Sequence, residues 1–486
     1  MAVTYRLGRG ALASLPEASR PAVSPGSVRA GIVHLGLGAF HRAHQAVFTE
    51  DAVAASGGDW GIIGVAPRSR EILDKLRAQD GLYSVLTVGG GPDRARTIGI
   101  LAGFGHAAGD PYGVVAAIAD PGIRIVSMTV TEKAYRMDPA GRLLLDDDLR
   151  AQLTGQAPPV GVPALLARAL IRRQAAGGGP LTVLCCDNMQ GNGPRIRGLV
   201  AQALEVAGVD MPAGVAFPAT MVDRIVPATS ADHIRRAAVA LGAEDTVPVV
   251  AEPFTQWVIE DDFPGGRPDW AAAGAVLTGD VTPWELCKLR ALNGVHSAAA
   301  YLGALAGREY IADSLEMPGM TGLLRRFIAD DIAPTIEPPS GVTVTGYGEQ
   351  SLQRFANREL GHRNLQVAMD GSQKLPYRML AAITERRRAG AVPVWGALMV
   401  AAWMRFARGY ADSGARLPLD DPLAGPIRDA LAAAPDTPAG AVGALLGVDA
   451  IFGPELAGDA ALRSELVRWY GELDRHGVVA TVKGLG

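Results

Sequence analysis

The chain has 486 residues, of which 48% are hydrophobic and 20% charged, and its formal net charge is −4. This length predicts two domains with large cores, and the lack of a basic run argues against a nucleic-acid partner. The sequence contains no run of about 18 apolar residues and no signal-peptide core, so we expect neither a membrane span nor secretion. The three cysteines, at positions 185, 186 and 287, form no disulfide framework, which fits a cytoplasmic protein.

The segment 31–55 has the pattern of the first unit of a dinucleotide-binding domain. An apolar run predicts a buried strand, Gly36 and Gly38 follow it directly, and residues 39–55 have helical character. Glycines in such a turn let the backbone approach a pyrophosphate, and the following helix N-terminus favours its negative charge. Because His41 replaces the third glycine of the usual fingerprint, a tight turn without a ligand is an equally good interpretation.

Residues 60–66 predict the second strand of this domain. An NAD-specific domain usually carries an acidic residue after this strand, where it binds the ribose diol. Here Arg68 and Arg70 come before the first acid, Glu71. An arginine at this place can bind a 2′-phosphate, so NADP stays open beside NAD; surface arginines next to a helix are the alternative.

Further strands are predicted at 97–101, 123–131 and 181–186, with a helix over 162–175. The strand over 123–131 is almost entirely apolar, as a central parallel strand should be, and Glu132 follows it. Polar residues beginning with Asp187 and Asn188 follow the strand over 181–186. Polar groups at the carboxyl edge of a sheet suit a ligand site, although an Asn/Gly turn explains them equally well.

The charged pair Asp223 and Arg224 lies in an apolar, strand-like segment, 218–227, and must be partnered or functional. Two strand-like segments, near 247–252 and 257–261, close the α/β part. Helical patterns dominate after residue 280, which predicts a second domain that is mostly α-helical. The helical segments are 283–306, 315–330, 348–358, 376–389, 393–409, 424–432 and 459–475.

The segment 282–297 begins with a capping-box pattern and predicts a helix with reactive groups on one face. At about 100° per residue, Lys288 and His296 lie roughly 80° apart, and Asn293 lies about 60° further round. An amine, an amide and an imidazole together suit the redox chemistry of an alcohol and a carbonyl group. The alternative is a solvated lysine, a capping asparagine and a core histidine. Gly294 and the small residues after it allow another backbone or a ligand to come close.

With these motifs, the sequence resembles the polyol-specific long-chain dehydrogenases, to which mannitol dehydrogenases and fructuronate reductases belong. The resemblance covers nearly the whole chain and rests on the segments 36–45, 186–188, 221–224, 252–258 and 288–296. It implies a Rossmann-like domain over residues 1–281 and a helical domain over residues 282–486. It also implies a metal-independent cytoplasmic enzyme that is a monomer, with a weak dimer left open.

The resemblance also implies roles for individual residues. Lys288 is expected to be the general acid/base with a lowered pKa, Asn188 and Asn293 the oxyanion-binding pair, and Glu285 the proton relay. His296 is expected to orient the substrate and Asp223 to contact its hydroxyl groups. The cofactor is expected to be NAD, with NADP left open. It is expected to contact Gly36, Gly38, Ala39, Phe40, His41, Arg68, Arg70, Glu132 and Asn188.

The segment 360–378 resembles fructuronate reductases more than mannitol dehydrogenases. Arg363, Lys374 and Arg378 can answer the carboxylate of a hexuronate, and the alternative is that they pair with local acids. The sequence therefore predicts the interconversion of D-fructuronate and D-mannonate, with mannitol/fructose or arabinitol/xylulose as the alternative substrates. A dinucleotide-binding sensor is the alternative of another class, but it needs no proton-transferring Lys288. Arg358, where the family commonly has proline, and Arg70 depart from the family pattern.

Overall fold

A computed structural model describes residues 5–89, 91–138 and 140–485. The chain divides into two compact units, Met1–Val281 and Thr282–Gly486. The strands of the first unit are β1 (Ala30–Leu35), β2 (Gly61–Ala66), β3 (Tyr83–Thr87), β4 (Arg94–Ile98), β5 (Leu101–His106), β6 (Ile125–Met128), β7 (Leu181–Cys185), β8 (Val215–Ala216), β9 (Thr220–Asp223), β10 (Val249–Ala251), β11 (Gln256–Glu260) and β12 (Val276–Thr278). Its helices are α1 (Ala39–Ala43), α2 (Gln45–Ser56), α3 (Glu71–Arg77), α4 (Pro111–Ala119), α5 (Asp147–Thr154), α6 (Val162–Ala175), α7 (Asn192–Val206) and α8 (Ala231–Leu241), with 3₁₀ turns at Arg9–Ser14, Glu17–Ser19 and Glu132–Tyr135.

Six of these strands form one parallel sheet in the order β5-β2-β1-β6-β7-β8. This is the order of a doubly wound dinucleotide-binding fold, so the predicted Rossmann-like domain is confirmed. All residues of β6 and β7 are buried, as continuous apolar runs in central strands require. The strand order reverses between β1 and β6, and ligands of such sheets bind at the carboxyl edge of this point.

Two of the elements predicted for the first unit are divided in the structure. The strand predicted at 97–101 is wrong, because the chain leaves β4 and enters β5 there, and these strands belong to different sheets. The corner is fixed by the backbone N–H of Gly99, which donates to the buried carboxylate of Glu50 at 2.5 Å. The helix predicted over 39–55 is two helices, because the chain breaks at His44, whose ring nitrogen Nε2 lies 2.9 Å from the Gln256 carbonyl oxygen.

The strand-like segments after residue 218 lie outside the large sheet. β9 pairs antiparallel with β11 in a three-stranded sheet that also contains β12. β10 joins β3 and β4 in a second small sheet. These small sheets decide where Asp223 lies, since it is the last residue of β9.

Helices dominate the described residues of the second unit, as the sequence predicts. Its helices are α9 (Thr282–Leu286), α10 (Val295–Leu305), α11 (Ile311–Leu315), α12 (Met320–Arg326), α13 (Val344–Phe355), α14 (Asn364–Ala368), α15 (Gly371–Leu375), α16 (Ala381–Arg388), α17 (Val394–Ala407), α18 (Ala424–Ala433), α19 (Pro438–Leu446), α20 (Asp449–Ala457) and α21 (Ala460–Lys483). Three π-helical segments, Cys287–Gly294, Phe327–Ile332 and Pro376–Leu380, and 3₁₀ turns at Ala333–Thr335 and Arg358–Leu360 interrupt or join them.

The core of this unit is built around α17. Every residue of α17 from Gly396 onward is buried, and the helix packs against α10 and α21. Over the described residues, no individual helix combines the length and apolarity needed to cross a membrane; only the bent pair of α19 and α20, with an angle of 106°, meets both criteria together.

Candidate active site

The glycine turn after β1 leaves backbone open at the carboxyl edge. Gly36 has a φ of +101°, and an added Cβ would lie 2.1 Å from the carbonyl oxygen of Thr129, so this position needs glycine. Gly38 is exposed, and the nearest atom to a Cβ built there is 3.8 Å away. The open backbone of this turn fits the pyrophosphate of a dinucleotide.

His41 lies beneath this turn and has no exposed surface. Its ring stacks on that of His34 with centroids 3.4 Å apart, and His34 hydrogen-bonds to the hydroxyls of Ser127 and Thr129 at 2.8 and 2.9 Å. Burial lowers the pKa of His34 to about 3 and that of His41 well below its usual value, so both rings are neutral. The contact of His41 with the cofactor stays a prediction; in the structure its ring is fully buried beneath the turn. Phe40, also a predicted contact, is half-buried and stacks on His44.

The end of β2 carries exposed positive charge. Arg68 and Arg70 are both exposed, and Arg70 lies 3.7 Å from Asp74, one helical turn further on. Glu71 begins α3, and its carboxylate accepts a hydrogen bond from Lys75 at 2.5 Å. The first acid after β2 is therefore paired along the helix, which leaves the two arginines as the charged groups nearest the strand end.

Asp187 joins the ends of β6 and β7. Its carboxylate accepts hydrogen bonds from the backbone N–H groups of Val130 and Thr131, at 3.0 and 3.2 Å, and from the hydroxyl of Tyr135 at 2.6 Å. Asn188 follows directly and is exposed. The sequence analysis noted Asp187 only as part of a polar run; an acid directly after a buried strand was the signal of its role.

Glu132, also a predicted cofactor contact, begins the 3₁₀ turn after β6 and is exposed. Because β6 and β7 are neighbours in the sheet, Glu132 and Asn188 both follow carboxyl ends at the same edge. The structure therefore groups these two predicted residues with the glycine turn after β1.

Asp223 lies in the small sheet, is 5% exposed, and stands opposite Gln256 of β11. Its sequence neighbour Arg224 donates to backbone carbonyl oxygens, to that of Glu252 at 3.0 and 3.2 Å and also to that of Ala43. Burial lowers the pKa of Arg224 to about 10. The arginine thus ties this sheet to the α1–α2 junction, which is a structural role.

Lys288 and Asn293 lie in the π-helical segment between α9 and α10. The spacing derived for an α-helix is therefore wrong here. On an α-helix these two residues would be about 140° apart, but π-helical bonds join residues five apart, which brings the two side chains closer to one face. Lys288 is 7% exposed, and Glu285 lies in the last turn before the π segment. Segments of this kind occur frequently at functional sites.

Arg378 supports this segment. It lies in the π-helical segment Pro376–Leu380, and its guanidinium donates to the hydroxyl of Ser297 at 2.9 Å and to the carbonyl oxygen of Asn293 at 3.4 Å. Burial lowers its pKa. Part of its hydrogen-bonding capacity is thus used to hold the helix that carries Asn293.

His296 lies within a positively charged cluster. Its ring stacks on Phe355 at 4.4 Å, and its buried Nε2 makes no hydrogen bond to any described residue. Burial, and then nearby positive charge, hold its pKa well below the usual value, so the ring is neutral. The groups that contribute this charge are His362, Arg378, Arg354 and Lys374. Sequence reasoning missed His362 and Arg354. Arg354 lies two helical turns after Tyr347 on the buried face of α13, a position typical of a core residue.

The other two predicted substrate cations differ in their surroundings. Lys374 donates to the carbonyl oxygen of Met369 at 2.6 Å, and burial and the charge of Arg378 lower its pKa. The Arg363 side chain is 59% exposed and pairs with Glu309 at 2.6 Å. The structure therefore brings Lys374 and Arg378 near His296. It gives Arg363 the local ion pair that was the alternative, and it also places Lys374 3.9 Å from a local acid, Asp370.

Among residues 5–89, 91–138 and 140–485, no three His, Cys, Asp or Glu side chains are grouped so that they could hold a metal ion.

Each of the two units matches a domain of one known family. Residues 30–272 match the mannitol dehydrogenase Rossmann domain, and residues 280–474 match the mannitol dehydrogenase C-terminal domain. The D-mannonate oxidoreductase of Escherichia coli (strain K12) is 37% identical, over 97% of this chain and 99% of its own. A mannitol 2-dehydrogenase of Cereibacter sphaeroides is 36% identical, over 87% of this chain and 90% of its own.

Solved structures agree with these matches. The Pseudomonas fluorescens mannitol 2-dehydrogenase ternary complex with NAD and D-mannitol has a TM-score of 0.85 and 33% identity, over 99% of both chains. D-sorbitol dehydrogenase in substrate-free form has a TM-score of 0.89 and 32% identity, over 98% of this chain and 100% of that chain. The chain belongs to the mannitol dehydrogenase family: it is an oxidoreductase of the secondary-alcohol dehydrogenase class, with a Rossmann domain that fits NAD.

Proposed function

We propose that the chain interconverts D-fructuronate and D-mannonate with NAD(H). The observation that carries the choice of substrate is the positive cluster around His296, formed by Arg354, Lys374 and Arg378. A sugar acid brings a carboxylate, which buried or half-buried guanidinium and ammonium groups bind with charge-assisted hydrogen bonds.

The cluster holds several cations close together, and they are partly balanced by Asp370, which lies 3.9 Å from Lys374, and by Asp421. The pKa of Lys374 is lowered first by burial and then by Arg378, and neighbouring cations contribute to the low pKa of His296. A bound carboxylate reverses this repulsion, since an opposite charge within a few ångströms favours the charged forms of its neighbours. A neutral polyol adds no negative charge beside these cations.

In this proposal each reactive group has one task. Lys288, buried on the π-helical segment, exchanges the proton of the reacting hydroxyl group. Asn293 and Asn188 donate hydrogen bonds to the oxygen as its negative charge develops. Glu285 passes the proton of Lys288 onward. Neutral His296 has an unpaired ring nitrogen with which it orients a substrate hydroxyl.

The Rossmann unit holds the coenzyme through the backbone at Gly36 and Gly38 and through the edge that carries Glu132 and Asn188. The bound coenzyme would supply the hydride transfer, from the alcohol carbon to NAD or from NADH to the ketone carbon. Asp223, in the small sheet, contacts hydroxyl groups of the substrate.

A second candidate is the same reaction on a neutral polyol, with mannitol/fructose or arabinitol/xylulose as the pair. It is favoured by the mannitol 2-dehydrogenases among the relatives, whose identities of 36% to 37% are close to the 37% of the D-mannonate oxidoreductase. Family membership therefore supports both candidates, and the charge of the substrate separates them.

The experiment that tests the substrate is NADH oxidation with fructuronate, fructose and xylulose in parallel. We expect the highest kcat/KM with fructuronate. Lys374→Met should raise the KM for fructuronate by about tenfold or more, because a charge-assisted hydrogen bond contributes about 1.5–3 kcal/mol, and should leave the KM for fructose unchanged. Arg363→Met, at the exposed ion pair, is the matched control. Higher kcat/KM with a neutral ketose, or equal effects of Lys374→Met on both substrates, would contradict the proposal.

Lys288→Ala distinguishes an enzyme from a dinucleotide-binding sensor. We expect turnover to fall by roughly 10²–10⁴-fold, as removal of a general acid/base does, while NADH binding is kept. A protein that binds NADH and shows no turnover with any of the three ketones, with or without Lys288, would be a sensor.

A further inference from the structure

The backbone at Thr131 has an unusual conformation. Its φ is 74° and its ψ is 151°, a region that is almost restricted to glycine. The described non-glycine residues with positive φ are Asp80, Thr131, Arg136 and Asp370, and Thr131 is the one among them with a β-branched side chain. Such a conformation persists only where the surroundings enforce it, and such positions cluster at functional sites.

Asp187 enforces this conformation. Its carboxylate accepts hydrogen bonds from the backbone N–H groups on both sides of the Val130–Thr131 step and from Tyr135 at the end of the same turn. Tyr135 is fully buried, and its hydroxyl also lies 3.2 Å from the Sγ of Cys185 in β7. Three hydrogen bonds from one loop thus converge on a single side chain, that of Asp187, just after the neighbouring strand β7.

The strained residue is also linked to the glycine turn. Thr129, two residues earlier, donates from its hydroxyl to the carbonyl oxygen of Gly36 at 3.0 Å, and its own carbonyl oxygen fills the space beside Gly36. The ends of β1, β6 and β7 are therefore joined by side chains at the point where the strand order reverses. Ligands of this fold bind at this edge.

We propose that Asp187 is a positioning residue for the dinucleotide: it holds Val130 and Thr131 in a strained conformation that fixes the loop after β6 against the glycine turn before the ligand binds. The inference rests on the proposed binding of NAD(H). A loop already held in its bound conformation loses less conformational entropy on binding. The affinity for the dinucleotide therefore depends on the hydrogen bonds of Asp187. Asn188, the next residue, lies at the same edge of the sheet.

The variant that tests this is Asp187→Asn, which keeps the volume but replaces one acceptor oxygen with a donor that opposes the backbone N–H groups. We expect the dissociation constant for NADH, measured by fluorescence titration of the full chain, to rise about tenfold, which corresponds to about 1.4 kcal/mol. The KM for NADH should rise with it, while kcat at saturating NADH changes much less. Asp138→Asn is the matched control, because the Asp138 carboxylate also accepts two backbone N–H groups, those of Ala140 and Arg142, at 2.9 Å.

A double variant separates positioning from general stability. Glycine adopts the conformation of Thr131 without strain, so Thr131→Gly should recover at least about threefold of the affinity that Asp187→Asn loses. A role limited to stability predicts a lower melting temperature with an unchanged dissociation constant and no recovery, and this result would overturn the inference. If Asp187→Asn does not fold, Tyr135→Phe removes one of the three donors, and an unchanged affinity in that variant would also overturn it. A wild-type chain that does not bind NADH would instead contradict the proposed function.

Discussion

Gly294 lies against the carbonyl oxygen of Arg378: a Cβ added at Gly294 would come within 2.6 Å of that oxygen. The two residues belong to two π-helical segments, and the Arg378 side chain returns to the first of them at Asn293 and Ser297. A backbone contact and two hydrogen bonds therefore fix the segment that carries Lys288.

Gly294→Ala should separate these two segments, because the opposing atom belongs to the backbone and cannot rotate away. We expect the free energy of unfolding to fall by about 1–3 kcal/mol, as overpacking of a core does, and kcat to fall more than KM changes. Thermal unfolding and steady-state kinetics measure both effects. Gly443→Ala in α19 is the control, since a Cβ there has only the end of the Arg463 side chain nearby, at 3.8 Å. This substitution should raise the free energy of unfolding by up to about 1 kcal/mol. Equal behaviour of the two variants would show that the close contact has no effect.

Asp245 should be among the most important buried polar residues for stability. It is fully buried, and its carboxylate accepts hydrogen bonds from Gln79 at 2.9 Å, from the backbone N–H and hydroxyl of Ser84 at 2.6 and 2.7 Å, and from the backbone of Val247 at 2.8 Å. Asp245→Ala leaves these donors unpaired, and each costs about 1–3 kcal/mol, so we expect a loss of at least about 3 kcal/mol.

Chemical denaturation of the isolated variant gives this number. Asp436→Ala is a suitable comparison, because the Asp436 side chain is 91% exposed and pairs with Arg408 at the surface. That substitution should change the free energy of unfolding by less than about 1 kcal/mol. A loss for Asp245→Ala as small as this would mean that water replaces the carboxylate.

The stability should depend on pH through buried histidines. Burial lowers the pKa of His34 to about 3, so below its unfolded value of about 6.5 the unfolded chain binds a proton that the folded chain does not. This contribution is fully present above pH 6.5 or so and is lost as the pH falls towards about 3, by up to about 1.4 kcal/mol per pH unit. His41 and His296, whose pKa values are also lowered, act in the same direction.

The comparison with His34→Gln isolates one group. Buried carboxyls with raised pKa values, such as Glu50, titrate in the opposite direction and mask part of the effect in the wild type. Between about pH 6 and pH 5, the free energy of unfolding should fall less steeply for the variant than for the wild type. The difference between the two slopes should correspond to about one bound proton. Parallel curves for the two proteins would show that His34 is protonated or solvated in the folded state.

Coenzyme choice should respond to the charge after β2. We expect turnover with NADH, and activity with NADPH that depends on Arg70, because an exposed guanidinium there can bind the 2′-phosphate. Arg70→Glu should raise the KM for NADPH by about tenfold or more and change the KM for NADH much less. Arg235→Glu, on an exposed face of α8, controls for net charge. An unchanged ratio of the two KM values would place the phosphate elsewhere.

Local sequence patterns predict much of the fold. The helix predicted over 162–175 has those boundaries in the structure, because Pro163 marks its first turn and glycines follow its end. The central strands β6 and β7 are predictable because they are continuous apolar runs. The change of pattern after residue 280 predicts a helical unit, and the motif over 288–296 suffices to predict Lys288, Asn293 and His296 as site residues.

Tertiary structure decided the rest, because the responsible partners are distant in sequence. A π-helical segment is not favoured locally, and the spacing of Lys288 and Asn293 follows from packing against Arg378, more than eighty residues later. The role of Asp187 depends on the backbone N–H groups of Val130 and Thr131, which lie in a distant loop. The charge of Arg363 is paired with that of Glu309. Periodicity records which side of an element is buried, but it carries no information on which distant group meets a buried charge or a strained backbone.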